Sequence, residues 1–173
     1  AFDAIADQIA GAIHFARIAA ALEDANARLQ QMSMVDGLTG IANRRAFDQA
    51  LDAMLRRLRA AGQPMVLLLA DADYFKALND ALGHLHGDEC LRAIAGVCAA
   101  AAADADGLAA RFGGEEFAVL LPGHDAGLAW SAAEALRGGI EALALPHPAS
   151  SLAQVVTVSV GGVVSGPDDT REA

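Results

Sequence analysis

No apolar run in this 173-residue sequence approaches the length of a bilayer, and no signal-peptide pattern opens it. The segment is therefore expected to make no membrane contact. Basic residues are scarce too: 12 Lys and Arg stand against 22 Asp and Glu, a net charge of -10. A uniformly acidic surface repels DNA, RNA and anionic lipid, which argues against nonspecific binding to any of them. It does not exclude a nucleotide whose charge a divalent metal masks. Cysteine is limited to Cys90 and Cys98, which fall on one expected helix about two turns apart. That is roughly 12 Å at about 1.5 Å per residue, too far to bridge. Both are read as reduced thiols of a cytoplasmic protein. There is no internal repeat. The chain opens on Ala rather than Met, so it is expected to be a piece of something longer.

What is present is a folding composition, 54% hydrophobic and 20% charged, enough for one sizeable core. Residues 1–33 read as a helix, with Ile5, Ile9, Ile13, Ala16, Ala20, Leu22, Leu29 and Met32 recurring at three- and four-residue steps. Nothing within the segment buries that stripe. A parallel coiled coil with a second copy is the expected partner, the alternative being an amphipathic helix lying on the following domain. Asp36-Gly37-Leu38-Thr39-Gly40 then breaks the helix. A helix is expected from about Asn43 to Ala61, then a buried strand from Met65 to Ala70 that ends in Asp71-Ala72-Asp73. Helices follow over Phe75 to Leu82 and about Asp88 to Ala103, with Gly83-His84-Leu85-His86-Gly87 as a loop between them. A hairpin, a helix from about Ala126 to Leu143 and a strand from Val155 to Val164 complete the order. A hairpin inside the alternation argues against a purely parallel sheet. The expected fold is α+β: a mixed, mainly antiparallel central sheet flanked by helices, on the ferredoxin-like plan.

The most telling residues are Gly113-Gly114-Glu115-Glu116-Phe117, between runs that read as strands. A Gly-Gly pair there suggests a tight primed turn with positive φ at both centres. Adjacent carboxylates at such a tip repel each other unless something cationic binds them. Asp71 closes a buried strand, where a carboxylate is costly without a partner. If the hairpin lies beside that strand, Asp71 and Glu115 converge on one hard cation. An isolated D-x-D is more often a turn or cap, and an EF-hand is excluded because Lys76 stands where that loop needs Gly. His84, His86, Asp88 and Cys90 fit no closed zinc site, and His86 reads as a solvated loop residue. Asp36 and Arg111 are expected either to pair beside the site or to be two separate surface charges.

In combination the motifs are specific. Asp71-Ala72-Asp73-Tyr74-Phe75-Lys76, Asn79-Asp80, Gly83-His84, Gly87-Asp88 and Arg111-Phe112-Gly113-Gly114-Glu115-Glu116-Phe117 resemble the GGDEF family of diguanylate cyclases. Asp36-Gly37-Leu38-Thr39-Gly40 with Asn43-Arg44-Arg45 is similar to that family's opening motif. The resemblance runs from about Asp36 to the end, dividing the chain into a signalling helix (1–33) and a catalytic domain (34–173). Residues 1–32 resemble the closing helix of a GAF sensor domain.

The resemblance implies condensation of two GTP into cyclic di-GMP with release of two pyrophosphates, using Mg2+ or Mn2+. It makes Asp71, Glu115 and the carbonyl of Ala72 the metal ligands. Glu116 is then a second metal contact or the base that deprotonates the 3′-hydroxyl, a role that stays open between Glu115 and Glu116. Backbone N–H groups around Tyr74 and Phe75 suit phosphate oxygens, and Lys76 adds a positive charge there. Asn79 and Asp88 resemble the guanine-reading pair, Asp88 being equally an N-cap of its helix, and His84 matches a position near the substrate. Each domain holds one GTP, so a face-to-face homodimer set by the N-terminal helix is implied, under an upstream sensor. The alternative is a non-catalytic module of the same fold that binds GTP or cyclic di-GMP.

Two departures stand out. The R-x-x-D product-inhibition motif is replaced by Asp104 and Gly107, so no inhibition is expected there. The family also continues past the last strand into a helix whose Lys and Arg reach the triphosphate. This sequence stops at Arg171-Glu172-Ala173, so the domain is expected to be C-terminally truncated, and activity is implied for the parent more firmly than for this piece.

Overall fold

A computed structural model describes residues 17–18, 34–123 and 125–166. The expected N-terminal helix (except for Arg17 and Ile18, which are helical) and residues 167–173 lie outside the described residues. The elements below belong to the compact unit from Val35 to Ala173.

The chain enters through a short strand, β1 (Ala42–Asn43), and turns directly into helix α1 (Arg44–Ala60). The Asn43 side chain accepts the Ala46 N–H at 3.0 Å, satisfying one of the donors a helix start leaves free. Arg57 and Arg59 in the last turn suit its negative end, and Gly62, at φ 63°, reverses the chain. Strand β2 (Met65–Ala72) follows, then α2 (Phe75–Leu82) and α3 (His84–Ala103), the hairpin strands β3 (Leu108–Arg111) and β4 (Glu116–Pro122), α4 (Ala126–Glu141) and β5 (Val158–Ser165). The sheet order is β1-β3-β4-β2-β5, with β1 parallel to β3 and every other pair antiparallel. The expected fold class is correct.

β2 is apolar from Met65 to Ala70 because it is central, bonded to β4 on one side and β5 on the other. Its alternation divides the core in two. Val66, Leu68, Ala70 and Ala72 meet α2, α3 and α4 through Phe75, Leu78, Ile94 and Leu136. Met65 and Leu67 face α1 with Phe47, Leu58, Ala118 and Leu120. On this second face α1 lies over β1, β3 and β4, which leaves Leu69 and Val163 44% and 57% exposed.

Three local expectations differ. First, α3 begins at His84, not near Asp88. Gly83 takes φ 84° and reverses the chain within one residue, so His84, Leu85 and His86 become the first helical turn. Asp88 is thus not an N-cap, and His86 is a half-buried helical residue whose Nδ1 lies 3.9 Å from Glu89. Second, neither Gly113 nor Gly114 has positive φ, and the hairpin is no two-residue primed turn. Its loop is closed by the Phe112 and Gly113 N–H groups, which donate to the Glu116 carbonyl at 2.8 and 3.2 Å. A Cβ at Gly113 would fall on the Glu116 carboxylate, which would have to turn aside. Third, β5 starts at Val158, and Val155 makes only an isolated bridge to Pro146.

Candidate functional site

The site grows from the end of β2. Asp71 stands in register with Glu116 of β4 and Ser159 of β5, so Asp71 and Glu116 share one face of the sheet. Glu115 lies one residue outside β4, in the loop, and escapes the pleat. The Ala72 N–H donates to its carbonyl at 3.2 Å, which ties the hairpin to the strand end. Two cavities adjoin there. One, of about 340 Å³, is lined by Asp71, Glu116, Phe112 and Ser159. The other, of about 450 Å³, is lined by Glu115 from the hairpin, Phe75, Lys76 and Asn79 from α2, and His84 and Asp88 from α3.

Electrostatics link the three carboxylates. Burial, then the charges of Glu116 and Asp73, raise the Asp71 carboxyl above its ordinary range. Burial, then Asp71 and Glu116, raise Glu115. Among the described residues, no Lys, Arg or His forms an ion pair with any of the three. Clustered carboxylates without a cationic partner, beside a cleft, form a hard oxygen donor set suited to Mg2+. No group of three or more His, Cys, Asp or Glu side chains among the described residues is arranged to hold a metal alone. A metal here would need further oxygens from the backbone beside Ala72 and from a substrate.

Elsewhere, sequence expectation and geometry meet unevenly. Lys76, the chain's single lysine, lines the cleft with Asn79, Asp88 and His84. Tyr74 does not line either cavity; the residue is 51% exposed and its backbone is left-handed at φ 55°, ψ 30°. Ala72 is buried at the strand end. Arg111 does pair with Asp36, at 3.2 Å, and its Nε and Nη2 also donate to the Gly114 carbonyl at 3.2 and 2.6 Å.

The family model described as "Diguanylate cyclase, GGDEF domain" matches residues 33–173. The chain belongs to the GGDEF family. Diguanylate cyclase VdcA of Vibrio cholerae is 38% identical over 158 residues, 88% of this chain and 44% of VdcA. Response regulator PleD of Caulobacter vibrioides is 37% identical over 146 residues, 83% of this chain and 32% of PleD. The chain thus spans less than half the length of either. Among solved structures, the coiled coil and GGDEF domain of DgcB from Caulobacter crescentus, in complex with c-di-GMP, matches with a TM-score of 0.71. Identity is 32%, over 91% of this chain and 84% of that one.

This GGDEF domain also uses residues that sequence reading missed. Phe112 packs edge-on against Phe47 with centroids 5.3 Å apart, and the Arg44 guanidinium lies 4.4 Å above its ring. Helix α1 thereby holds the first residue of the hairpin loop. Asp73, dismissed as half of a weak D-x-D, accepts from Thr157 Oγ1 and Ser159 Oγ at 2.7 Å each and fastens the segment after β2 to β5. No local pattern announces either contact, because each partner is remote in sequence. Gly87 reads as a loop residue in the sequence but lies inside α3. A Cβ at this position would overlap the Asn79 side-chain oxygen and crowd Phe75. The glycine lets α2 and α3 approach closely enough to put Asn79 and Asp88 in one cleft.

Proposed function

We propose that this domain condenses two GTP into cyclic di-GMP, releasing two pyrophosphates, as one half of a dimer. The observation that carries the reading is the trio Asp71, Glu115 and Glu116, which no Lys, Arg or His among the described residues ion-pairs, with Glu115 lining a cleft that also holds Lys76, Asn79 and Asp88. Asp71, Glu115 and the Ala72 carbonyl would hold Mg2+ or Mn2+, which when bound would neutralise the triphosphate and polarise the α-phosphate. Phe75 and Tyr74 N–H groups at the start of α2 take phosphate oxygens, and Lys76 stabilises charge that builds in the transition state. Glu115 or Glu116 accepts the proton of the attacking 3′-hydroxyl. Asp88 accepts from guanine N1–H and the exocyclic amine, a pair that adenine lacks, with Asn79 beside it, and His84 lines the same cleft.

The deciding assay incubates the chain with GTP and Mg2+ and measures pyrophosphate and cyclic dinucleotide. Product from the native chain, lost in Glu115→Ala, is the expected result. GTP binding without turnover would assign a nucleotide-binding module instead. Because Gly87 makes room for Asn79, Gly87→Ala is expected to weaken GTP binding about tenfold, the lower range for one lost base contact. Gly96→Ala on the same helix, where a Cβ meets nothing within 4 Å, is the control and should bind as the native chain does.

One GTP per domain requires two domains facing each other. Residues 1–33 are proposed to set that encounter as a coiled coil below an upstream sensor, with residues 34–173 as the catalytic domain. Ile9→Asp with Ile13→Asp should make the specific rate rise more steeply with protein concentration. An unchanged dependence would remove the helix from the account. No helix among the described residues is long and apolar enough to cross a membrane, and a GTP-consuming domain is proposed to work in the cytoplasm. Product inhibition through the R-x-x-D position is not expected, since Asp104 caps α3 and a side chain at position 107 would overlap the Leu120 carbonyl.

A further inference from the structure

His147 is the single polar or charged side chain in the buried class among the described residues, at 1% exposure. It stands in the connection from α4 to β5. Its backbone is fixed on both sides: its N–H donates to the Gln154 carbonyl at 2.9 Å, and its carbonyl accepts the Ser150 N–H at 3.2 Å. The ring Nε2 lies 3.3 Å from the carbonyl oxygen of Tyr74, 73 residues away. Nδ1 is buried without a partner.

A carbonyl oxygen can only accept, so the hydrogen belongs on Nε2. The other tautomer would aim a lone pair at the carbonyl and bury an unpaired N–H, which is costly. The acceptor is unusual in its own right. Tyr74 occupies the left-handed region at φ 55°, with no side-chain cap to hold it there, and a residue with a Cβ is unfavourable in that region. Its carbonyl also receives the Leu78 N–H, the first turn of α2, at 3.1 Å. The carbonyl of Tyr74 and the N–H of Phe75 belong to one planar peptide. Holding the oxygen therefore fixes the direction of that N–H.

We propose that His147 is a positioning residue: through the Tyr74 carbonyl its Nε2–H orients the Tyr74–Phe75 peptide, presenting the Phe75 N–H to the triphosphate. The triphosphate clause rests on the GTP reading given above; the anchoring of the peptide does not. Without the anchor the strained turn relaxes, and only a fraction of molecules offers a competent phosphate site. Apparent affinity falls by that fraction, while bound GTP restores the turn and the saturated rate is kept.

Tyr74 is the only tyrosine. Carbonyl-13C tyrosine with 15N phenylalanine in the full chain therefore selects one peptide, and its cross-peak reports the Phe75 amide. His147→Phe is expected to move this peak and to raise KM for GTP about tenfold, with kcat within about twofold. His147→Gln, whose side-chain nitrogen reaches about as far as Nε2, should restore both. An unmoved peak and unchanged KM in His147→Phe, or no restoration by His147→Gln, would overturn the assignment. So would ring 15N shifts of the native chain that place the hydrogen on Nδ1, a measurement that needs neither variant to fold. If a non-hydrolysable GTP analogue leaves the native peak in place, the triphosphate clause fails. The variants then judge the anchoring by itself.

Discussion

Glu115→Gln is expected to lower pyrophosphate release from GTP by about a thousandfold, while raising the melting temperature of the Mg2+-free chain by about 2 °C. The two effects share a cause. In the free domain burial raises Glu115 and Asp71, and so do the other acids around each. The folded chain therefore holds protons that the unfolded chain releases, and metal-free stability falls as pH rises from the ordinary carboxylate range through the raised values. Above that range the repulsion is present in full. The amide removes one charge and keeps the shape, so the gain in stability should appear at neutral pH and vanish in acid. Mg2+ should stabilise the native chain, because it binds the folded form alone, and should stabilise the variant much less. Calorimetry with and without Mg2+, alongside the pyrophosphate assay, reads both. A variant that melts lower than the native chain, or that retains turnover, would remove the carboxylate cluster from its assigned role.

The same repulsion explains why the site was legible at all. Acids at a hairpin tip and at the end of an apolar run violate local rules, and such violations show in sequence without any knowledge of contacts. The central strand was legible for the opposite reason: Met65 to Ala70 obeys the rule for a strand paired on both sides. Where reading failed, a specific contact or a one-residue turn had replaced a rule of composition. Gly83-His84-Leu85-His86-Gly87 looks like a loop by composition. It is mostly helix because Gly83 makes the turn by itself and Gly87 is demanded by Asn79 packing. The pair Gly113-Gly114 suggested positive φ, whereas neither glycine adopts it and the loop closes through bonds to the Glu116 carbonyl. His147 carries no signal, since its partner is a backbone carbonyl that any residue would supply.

Arg111→Met is expected to destabilise the domain by about 2 kcal/mol, the loss of charge-assisted bonds to the mostly buried Asp36 carboxylate, and to slow GTP turnover about a hundredfold through displacement of the hairpin. Arg111 bonds both the Asp36 loop, at 3.2 Å, and the Gly114 carbonyl next to Glu115. Both members of the ion pair are mostly buried, at 16% and 22% side-chain exposure, so screening is incomplete. Burial alone would raise the Asp36 carboxyl, but hydrogen bonds from Thr39 and then Arg111 outweigh it and hold the group below its ordinary range. Its contribution is present above the unfolded carboxylate range and is lost as pH falls through the lowered folded value. The stability gap between native and Arg111→Met should therefore narrow toward acid. Arg111→Lys should recover only part of the loss, because one ammonium cannot reproduce a fork that spans two acceptors. Asp36→Asn leaves the bonds to Gly114 in place and should cost more stability than activity. Loss of activity in Asp36→Asn equal to that in Arg111→Met would locate the effect in the loop rather than in the hairpin that carries Glu115.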